Sequence, residues 1–260
     1  HGLITNYGKA HLEGFGGVEG VIKGKSEMYD FLKAHEGLIF VNADDAMQMK
    51  KSEGGKRYTF SSQGNDADIT LQLLQTDPAI VFSIEGKECE CKLYGSYNFT
   101  NMAYAISIGK YFNVPADDIL HAVSDYTSTN NRSQLVETTK NHIILDAYNA
   151  NPSSMEAALK DFAALPSSTK IIILGDMFEL GDEAANEHLH VAQLALKTDA
   201  QKIYLAGNHF NALPLNDSRI IKLATTEDLL GHLSKNSHDG SHILIKGSIG
   251  MAMEKILEVL

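Results

Sequence analysis

Continuous apolar runs recur through the second half of the chain, and each is about as long as a single β-strand. The runs are HIIL (142–145), KIIIL (170–174), KIYLA (202–206), RIIKLA (219–224) and HILIK (242–246). Most are followed by a turn that contains Gly or Asn and then by a segment with helical periodicity. Strands that are apolar on both faces and alternate with helices are typical of a parallel sheet covered on both sides. The pattern therefore predicts an α/β domain with a mainly parallel, Rossmann-like sheet.

Two helices of this half carry start signals. Ser153 and Glu156 have the spacing of a capping box, and Thr225 with Asp228 predicts a second cap before LLGHL. A single apolar stripe follows the first signal, formed by Met155, Ala158, Leu159 and Phe162. This spacing predicts a helix with one buried face.

The first half has a mixed pattern. The predicted elements are a strand at 37–40, a short helix at 44–53, an antiparallel hairpin within 79–94 that turns at Glu85, Gly86 and Lys87, and helices at 98–112 and 116–125. The turn-rich stretch SDYTSTNNRS (124–133) predicts a domain boundary. We therefore expect one domain at 1–128 and a second at 129–260.

Composition narrows the class of protein. The formal net charge of −11 argues against binding to nucleic acid or to an anionic membrane surface, which would need a basic face. The sequence has no run of about 18 apolar residues and no signal-peptide pattern in HGLITN, so we expect a cytoplasmic protein without membrane insertion.

Cys89 and Cys91 alternate along a predicted strand, which is poor geometry for a disulfide, so reduced thiols are expected.

Polar side chains are concentrated in the turn after the run at 142–145. Asp146, Tyr148, Asn149 and Asn151 all lie there, between a predicted strand and a predicted helix. Ligands of parallel α/β sheets bind beyond the carboxyl ends of the strands. Asp176, Glu179 and Lys246 are expected at the same edge. A solvated polar turn is the alternative interpretation.

Other candidate residues are ambiguous when each is taken alone. His11 could be structural or solvated, Lys25 could be a surface lysine of a helix, and Arg132 lies in a polar linker. Asn98 and Asn101 could be an N-cap and a first-turn residue of a helix.

Taken in order, the motifs resemble the Mur ligase family. They are LITNYGKAHLEGFG (3–16) with VIKGKSEM (21–28), GSYNFTNMAYAISIG (95–109), NRSQL (131–135), DAYNANPSSMEAAL (146–159), LGDMFELG (174–181) with EH (187–188), and KGSIGMAMEKI (246–256). The resemblance covers nearly the whole chain. It is strongest to those members of the family that add D-alanyl-D-alanine.

The resemblance implies the remainder of a central ATPase-type α/β domain, followed by a Rossmann-like carboxy-terminal ligase domain. It also implies an ATP-dependent amide-bond ligase of peptidoglycan precursor synthesis, monomeric, with UDP-N-acetylmuramoyl-tripeptide and D-alanyl-D-alanine as partners. ATP would phosphorylate a substrate carboxylate, and the amine of the dipeptide would attack the acyl phosphate. Stabilising the developing charge would require Mg²⁺.

The resemblance also implies roles for individual residues. Lys25 matches a lysine that the family carbamylates, and as a carbamate it would bind Mg²⁺ together with His11. The nucleotide-binding residues would be Asn98, Asn101, Arg132 and Asp146, with the two asparagines at the adenine, Arg132 at the phosphates and Asp146 at the ribose. The remaining turn residues, Tyr148, Asn149 and Asn151, would lie near the nucleotide and the incoming dipeptide.

Three features depart from the family pattern. Leu145 and Ile249 stand where family members often have an acid and an arginine, respectively. The third departure is that these 260 residues contain no P-loop, G-x-x-x-x-G-K-[ST]. We therefore expect the chain to be the carboxy-terminal part of a longer ligase and to be inactive alone.

Two alternative functions remain open. One is a non-catalytic, ligase-like binding or scaffold protein, because a fold does not establish a function. The other is a dinucleotide-dependent oxidoreductase, which the absence of G-x-G-x-x-G after the first strand of the second domain disfavours.

Overall fold

A computed structural model describes residues 1–76 and 79–260 of the chain. The strands of these residues form two six-stranded sheets. The predicted α/β fold is confirmed. By its contacts the chain forms two units, one of His1–Gly8 with Phe15–Thr127 and the other of Lys9–Gly14 with Ser128–Leu260. The predicted domains are contiguous, whereas the segment Lys9–Gly14 packs with the second unit.

The first unit contains a mixed sheet in the order β1-β2-β3-β4-β5-β6. Its strands are β1 (Gly2–Leu3), β2 (Leu38–Asn42), β3 (Lys56–Ser61), β4 (Ile69–Gln75), β5 (Ile80–Ile84) and β6 (Lys87–Cys91). The first four strands are parallel to one another, and β5 is antiparallel to both β4 and β6. The predicted hairpin is confirmed, and its turn residues Glu85 and Gly86 have φ values of 52° and 76°, as in a type I′ turn.

Helices pack against this sheet, and the sequence pattern predicts those at 46–51, 96–111 and 116–125 but not the long helix at 18–34. They are α2 (Val18–Ala34), α3 (Ala46–Lys51), α4 (Ser96–Tyr111) and α5 (Ala116–Asp125), and the short α1 (Leu12–Phe15) lies at the division of the two units. Helix α4 buries Phe99, Met102 and Ile106 in the apolar core formed with the sheet. Its cap is Gly95, with φ 94°, so the expectation of an N-cap at Asn98 is wrong.

The second unit contains a sheet in the order β11-β10-β9-β12-β8-β7. Its strands are β7 (Gln134–Glu137), β8 (His142–Asp146), β9 (Lys170–Gly175), β10 (Lys202–Ala206), β11 (Ile220–Leu223) and β12 (His242–Lys246). All pairs are parallel except β7 with β8 at the edge. Each predicted apolar run is a strand, so the Rossmann-like sheet is confirmed.

The helices of this unit are α6 (Pro152–Ala164), α7 (Ala184–Leu196), α8 (Asn208–Asn211) and α9 (Thr226–Leu233). The predicted stripe of α6 is buried, and Thr225 caps α9 by accepting a hydrogen bond from the N–H of Asp228. The predicted capping box of α6 is wrong. Asn151 is the N-cap and Ser154 its partner, because Pro152 occupies the first helical position, where a missing N–H costs nothing.

The two cysteines are buried and are not joined by a disulfide. Both lie on the buried face of β6, and burial raises the pKa of each thiol. Among residues 1–76 and 79–260, no helix is both long and apolar enough to cross a bilayer.

Candidate functional site

The carboxyl edge of the second sheet holds a buried ion pair. Lys246 ends β12 and Asp146 ends β8, and the two residues are in register on neighbouring parallel strands. The ammonium group of Lys246 contacts Asp146 Oδ2 and donates to the carbonyl oxygen of Asn149 at 3.3 Å. Asp146 Oδ1 accepts a hydrogen bond from the N–H of Ser133 at 3.1 Å. Both carboxylate oxygens are therefore engaged, and the residue is only 8% exposed.

The segment before β7 packs against the same turn. The N–H of Ala147 donates to the carbonyl oxygen of Asn131 at 2.8 Å. The guanidinium of Arg132 lies 3.7 Å from the ring centroid of Tyr148, a cation–π contact. Both side chains are exposed. The structure thus brings together Arg132, Asp146 and Tyr148, three of the residues selected from the sequence.

Asn149 and Asn151 also contribute to this turn, through different groups. Asn149 is exposed and contacts Lys246 through its main-chain oxygen. Asn151 Oδ1 accepts from the N–H of Ser154 at 3.0 Å. The side-chain oxygen of Asn151 is therefore used to start α6, and a substrate-binding role would rest on its amide nitrogen.

Two further loops meet beside this turn. The N–H of Phe178 donates to Ser248 Oγ at 3.0 Å, and the N–H of Ser248 donates to the carbonyl oxygen of Asp176 at 3.2 Å. These bonds join the LGDMFELG motif to the KGS motif. Gly247 allows the approach, because a Cβ atom there would lie 3.1 Å from the Cα of Gly175.

The Asp176 carboxylate fixes the start of α8. It accepts hydrogen bonds from the N–H groups of His209 at 2.9 Å and Phe210 at 3.0 Å. Gly207 has φ 118°, and a Cβ atom on it would lie 2.3 Å from Asp176 Cγ. Only glycine therefore fits at position 207. Because the Asp176 carboxylate is hydrogen-bonded to the start of α8, Asp176 is a structural residue of this edge.

His188 lies beneath the same loop and is fully buried. Its Nδ1 is 2.6 Å from the carbonyl oxygen of Ala184, and its Nε2 accepts from the N–H of Met177 at 2.9 Å. These partners assign the proton to Nδ1 and make the imidazole neutral. Burial lowers the pKa of His188, and this effect outweighs the attraction of Asp176, whose Oδ1 is 3.5 Å from Nε2.

This environment predicts a pH-dependent stability. The unfolded His188 has a pKa of about 6.5, whereas its folded pKa is lowered. Below about pH 6.5 the unfolded chain therefore binds more protons, and the free energy of unfolding falls by up to about 1.4 kcal/mol per pH unit. Hydrogen exchange of the α7 amides, corrected for intrinsic rates between pH 7.5 and 5, should show this slope. The slope should flatten in His188→Gln and persist in the control His190→Gln, which replaces an exposed histidine of the same helix. Equal slopes in all three proteins would contradict the prediction.

The segment Lys9–Gly14, called the strap below, packs on the second unit. The N–H of Lys9 donates to Ser153 Oγ at 2.9 Å, and its ammonium group lies 2.6 Å from Glu187 Oε1. His11 Nδ1 is paired with the carboxylate of Glu179. His11 therefore belongs, by its contacts, to the carboxy-terminal unit rather than to the domain in which the sequence places it.

Lys25 lies on α2 in the first unit and is half-buried. Its ammonium group donates to the carbonyl oxygen of Asn6 at 2.9 Å. Burial lowers the pKa of the Lys25 amine, which increases the fraction of neutral, nucleophilic amine at a given pH.

Asn98 and Asn101 lie one turn apart on α4 and contact each other. Asn98 Nδ2 donates to the carbonyl oxygen of Tyr94 at 2.6 Å, and Asn98 Oδ1 accepts from Asn101 Nδ2 at 3.2 Å. Asn101 is the exposed member of the pair. It therefore presents amide donors and acceptors to solvent, as recognition of a purine edge requires.

The donors available for a metal ion are few. Within the described stretches 1–76 and 79–260, no three His, Cys, Asp or Glu side chains are gathered as a metal site. Mg²⁺ is usually bound through one or two protein oxygens together with substrate phosphates and water. His11 and Lys25 belong to different units, and each would supply a single donor, a number that suits such an ion.

Sequence reasoning placed Lys246, Glu179 and Asp176 at this edge but did not foresee their partners. The pairing of Lys246 with Asp146 did have a signal in the sequence, because HIILD and HILIK are apolar runs of equal length that end in opposite charges.

Lys9 and His188 lie within the quoted motifs, but no feature of the sequence assigns a role to either. Lys9 acts through contacts with distant residues, whereas His188 is hydrogen-bonded to Ala184 and Met177, which are near it in the sequence.

Comparisons with known proteins place both units in one family. Residues 1–109 match the Mur ligase middle domain, and residues 131–249 match the Mur ligase, glutamate ligase domain. The UDP-N-acetylmuramoyl-tripeptide–D-alanyl-D-alanine ligase of Bacillus subtilis is 30% identical over 98% of this chain and 58% of its own length. The enzyme of the same name from Escherichia coli is 27% identical over 99% of this chain and 59% of its own length.

Solved structures agree on the fold. MurF from Acinetobacter baumannii superposes with a TM-score of 0.81 at 23% identity, covering 98% of this chain and 58% of that protein. MurF ligase from Thermotoga maritima in complex with ADP has a TM-score of 0.81 at 19% identity, covering 99% of this chain and 60% of that protein. The chain thus spans about 58% of the length of the relatives it matches.

Proposed function

Because the chain belongs to the Mur ligase family, we propose that the protein is an ATP-dependent ligase of peptidoglycan precursor synthesis. It joins D-alanyl-D-alanine to UDP-N-acetylmuramoyl-tripeptide. The observation that carries this proposal is the match to the Bacillus subtilis enzyme of that name over 98% of the chain. The reaction forms an acyl phosphate on the tripeptide carboxylate, and the dipeptide amine then forms the amide bond and releases phosphate.

Nucleotide binding would use residues of both halves of the chain. Exposed Asn101, oriented by its hydrogen bond to Asn98, would contact the adenine. Arg132 stacks one face on Tyr148, so the edge of its guanidinium, which carries the N–H donors, would bind phosphate oxygens. Asp146 would accept a hydrogen bond from a ribose hydroxyl, because each carboxylate oxygen has two lone pairs and Lys246 and Ser133 use only one on each.

Substrate positioning would use the rest of the turn. Tyr148 and Asn149 are exposed, and Arg132 contacts the ring of Tyr148, so the carboxylate of the dipeptide would meet polar side chains close to a cation. Asn151 would contribute its amide nitrogen, because its oxygen caps α6. These three residues would orient the attacking amine.

Lys25 and His11 would hold Mg²⁺. The neutral Lys25 amine would add to CO₂, forming an N–C bond and releasing one proton, which replaces a cation with an anionic oxygen ligand. The lowered pKa of Lys25 supports this step. When bound, the ion would neutralise charge that develops on the phosphoryl oxygens.

The test is a product assay with the full-length gene product. The substrates are UDP-N-acetylmuramoyl-tripeptide, D-alanyl-D-alanine, ATP and Mg²⁺, and phosphate release and pentapeptide mass are measured together. We expect one phosphate per pentapeptide, and no phosphate without the dipeptide. ATP hydrolysis that yields no pentapeptide, or neither product, would refute the proposal and favour a non-catalytic role.

A further inference from the structure

The strap is fixed to the second unit on both sides of His11. Before His11, Lys9 is bonded to Ser153 and Glu187 at 2.9 and 2.6 Å. After it, Leu12 is buried, and the N–H of Glu13 donates to the carbonyl oxygen of Glu179 at 3.1 Å. The main chain around His11 is therefore held in place independently of the His11 side chain.

Glu179 faces the strap with two of its groups. Its main-chain oxygen accepts from Glu13, and its carboxylate pairs with His11 Nδ1. The φ values of Glu179 and His11 are 61° and 57°. A non-glycine residue adopts this left-handed conformation at a cost of about 1–2 kcal/mol, and such strain is typical of sites where geometry serves function.

We propose that Glu179 is a positioning residue for His11, an inference that rests on the proposed function. The carboxylate of Glu179 accepts the Nδ1–H of His11 and leaves Nε2 with the lone pair. Histidines that bind metal ions commonly donate their other N–H to a carboxylate or carbonyl, which fixes the tautomer and orients the ring. Glu179 thus prepares Nε2 of His11 for a divalent cation.

A purely mechanical role for Glu179, as a latch on the strap, makes a different prediction. The side chains of His11 and Glu179 are 55% and 61% exposed, and exposed ion pairs contribute little to stability. Loss of stability would therefore not separate the two roles. The tautomer of His11 does, because a latch has no need of a particular protonated nitrogen.

The first measurement is the tautomer of His11 in the metal-free, full-length gene product. Long-range ¹⁵N–¹H spectra at pH 8 distinguish protonated from unprotonated ring nitrogens, and His11→Gln assigns the signal. We expect protonated Nδ1 in the wild type and in Glu179→Gln, whose amide oxygen still accepts. Glu179→Ala should shift the proton towards Nε2. An unprotonated Nδ1 in the wild type would overturn the inference.

The second measurement is the affinity for Mn²⁺, by electron paramagnetic resonance. Glu179→Ala should raise the Kd about 10-fold or more, and Glu179→Gln should raise it less. The matched control is Glu183→Ala, which removes the same charge from an exposed residue whose side chain makes no capping hydrogen bond. Equal Kd values for Glu179→Ala and Glu183→Ala would overturn the inference.

His11→Gln separates this inference from the proposed function. If His11→Gln weakens Mn²⁺ binding and slows ligation while Glu179→Ala changes neither, only the role of Glu179 is wrong. If His11→Gln leaves Mn²⁺ binding unchanged, the metal-binding role of His11 is wrong and the inference fails with it. Absence of pentapeptide synthesis by the wild-type protein would instead count against the ligase function.

Discussion

Replacing Lys246 with methionine should lower the free energy of unfolding of the second unit by about 3–5 kcal/mol. The side chains of Lys246 and Asp146 are only 2% and 11% exposed. Methionine fills a similar volume, so the main loss is electrostatic. The Asp146 carboxylate would remain buried with the N–H of Ser133 as its hydrogen-bond donor at the sheet edge.

Lys170 provides a matched control in the same sheet. It is as deeply buried as Lys246, but its carboxylate partner Asp199 is 60% exposed. Lys170 also donates to the carbonyl oxygen of Ala163 at 2.6 Å. In Lys170→Met, Asp199 can return to water, so we expect a smaller loss of about 1–2 kcal/mol. The comparison isolates the cost of leaving a buried carboxylate unpaired.

Hydrogen exchange of the β8 and β12 amides measures the effect in the second unit alone. In the double variant Lys246→Met with Asp146→Asn, the free energy of unfolding should fall by at least about 1 kcal/mol less than the sum of the two single losses. In this variant no buried charge lacks a partner. Additive losses, or equal losses for Lys246→Met and Lys170→Met, would show that the ion pair is not a unit.

The strands of the second unit could be predicted because their sequences allow little else. Runs such as KIIIL and HILIK are apolar at every position except their first or last residue, and only a sheet covered on both faces buries such runs. In the first unit, β3 and β4 lack this signal. In KRYTFS one face carries Lys56, Tyr58 and Phe60, the other face is wholly polar, and only the last two residues are buried.

Local chemistry decides the start of α6, and the sequence contains the signal for it. Ser153 and Asn151 are both good N-cap residues, but Pro152 strongly favours the first helical position. This makes Asn151 the cap. The error matters for function, because Asn151 was expected near the substrate and its Oδ1 is hydrogen-bonded to Ser154.

The contacts of the strap could not be predicted from sequence. Lys9 and Glu187 are 178 positions apart, and a chain with 55 charged residues (22 Lys and Arg, 33 Asp and Glu) offers many equivalent pairings. Tertiary packing selects one of them. By contrast, motif order was informative, since it brought Arg132, Asp146 and Tyr148 into one candidate site before any contact was known.

Lys25→Ala should reduce ligase turnover of the full-length gene product by about 1,000-fold or more, equivalent to about 4 kcal/mol of activation free energy. The proposed function requires an anionic oxygen at this position, and alanine removes it. Lys25→Arg keeps the positive charge and an N–H donor for the carbonyl of Asn6, but it cannot form a carbamate. Arginine should therefore be as inactive as alanine.

Lys23→Ala is the matched control, because Lys23 is an exposed lysine on the same helix, two residues before Lys25. It should keep wild-type turnover. Added short-chain carboxylate should partly restore Lys25→Ala, since a small anion can occupy the place of the carbamate, and it should not restore Lys25→Arg, whose side chain fills that space. Wild-type turnover should also fall when dissolved CO₂ is removed. Activity in Lys25→Arg would mean that the cation of Lys25, rather than its carbamate, is what the reaction needs.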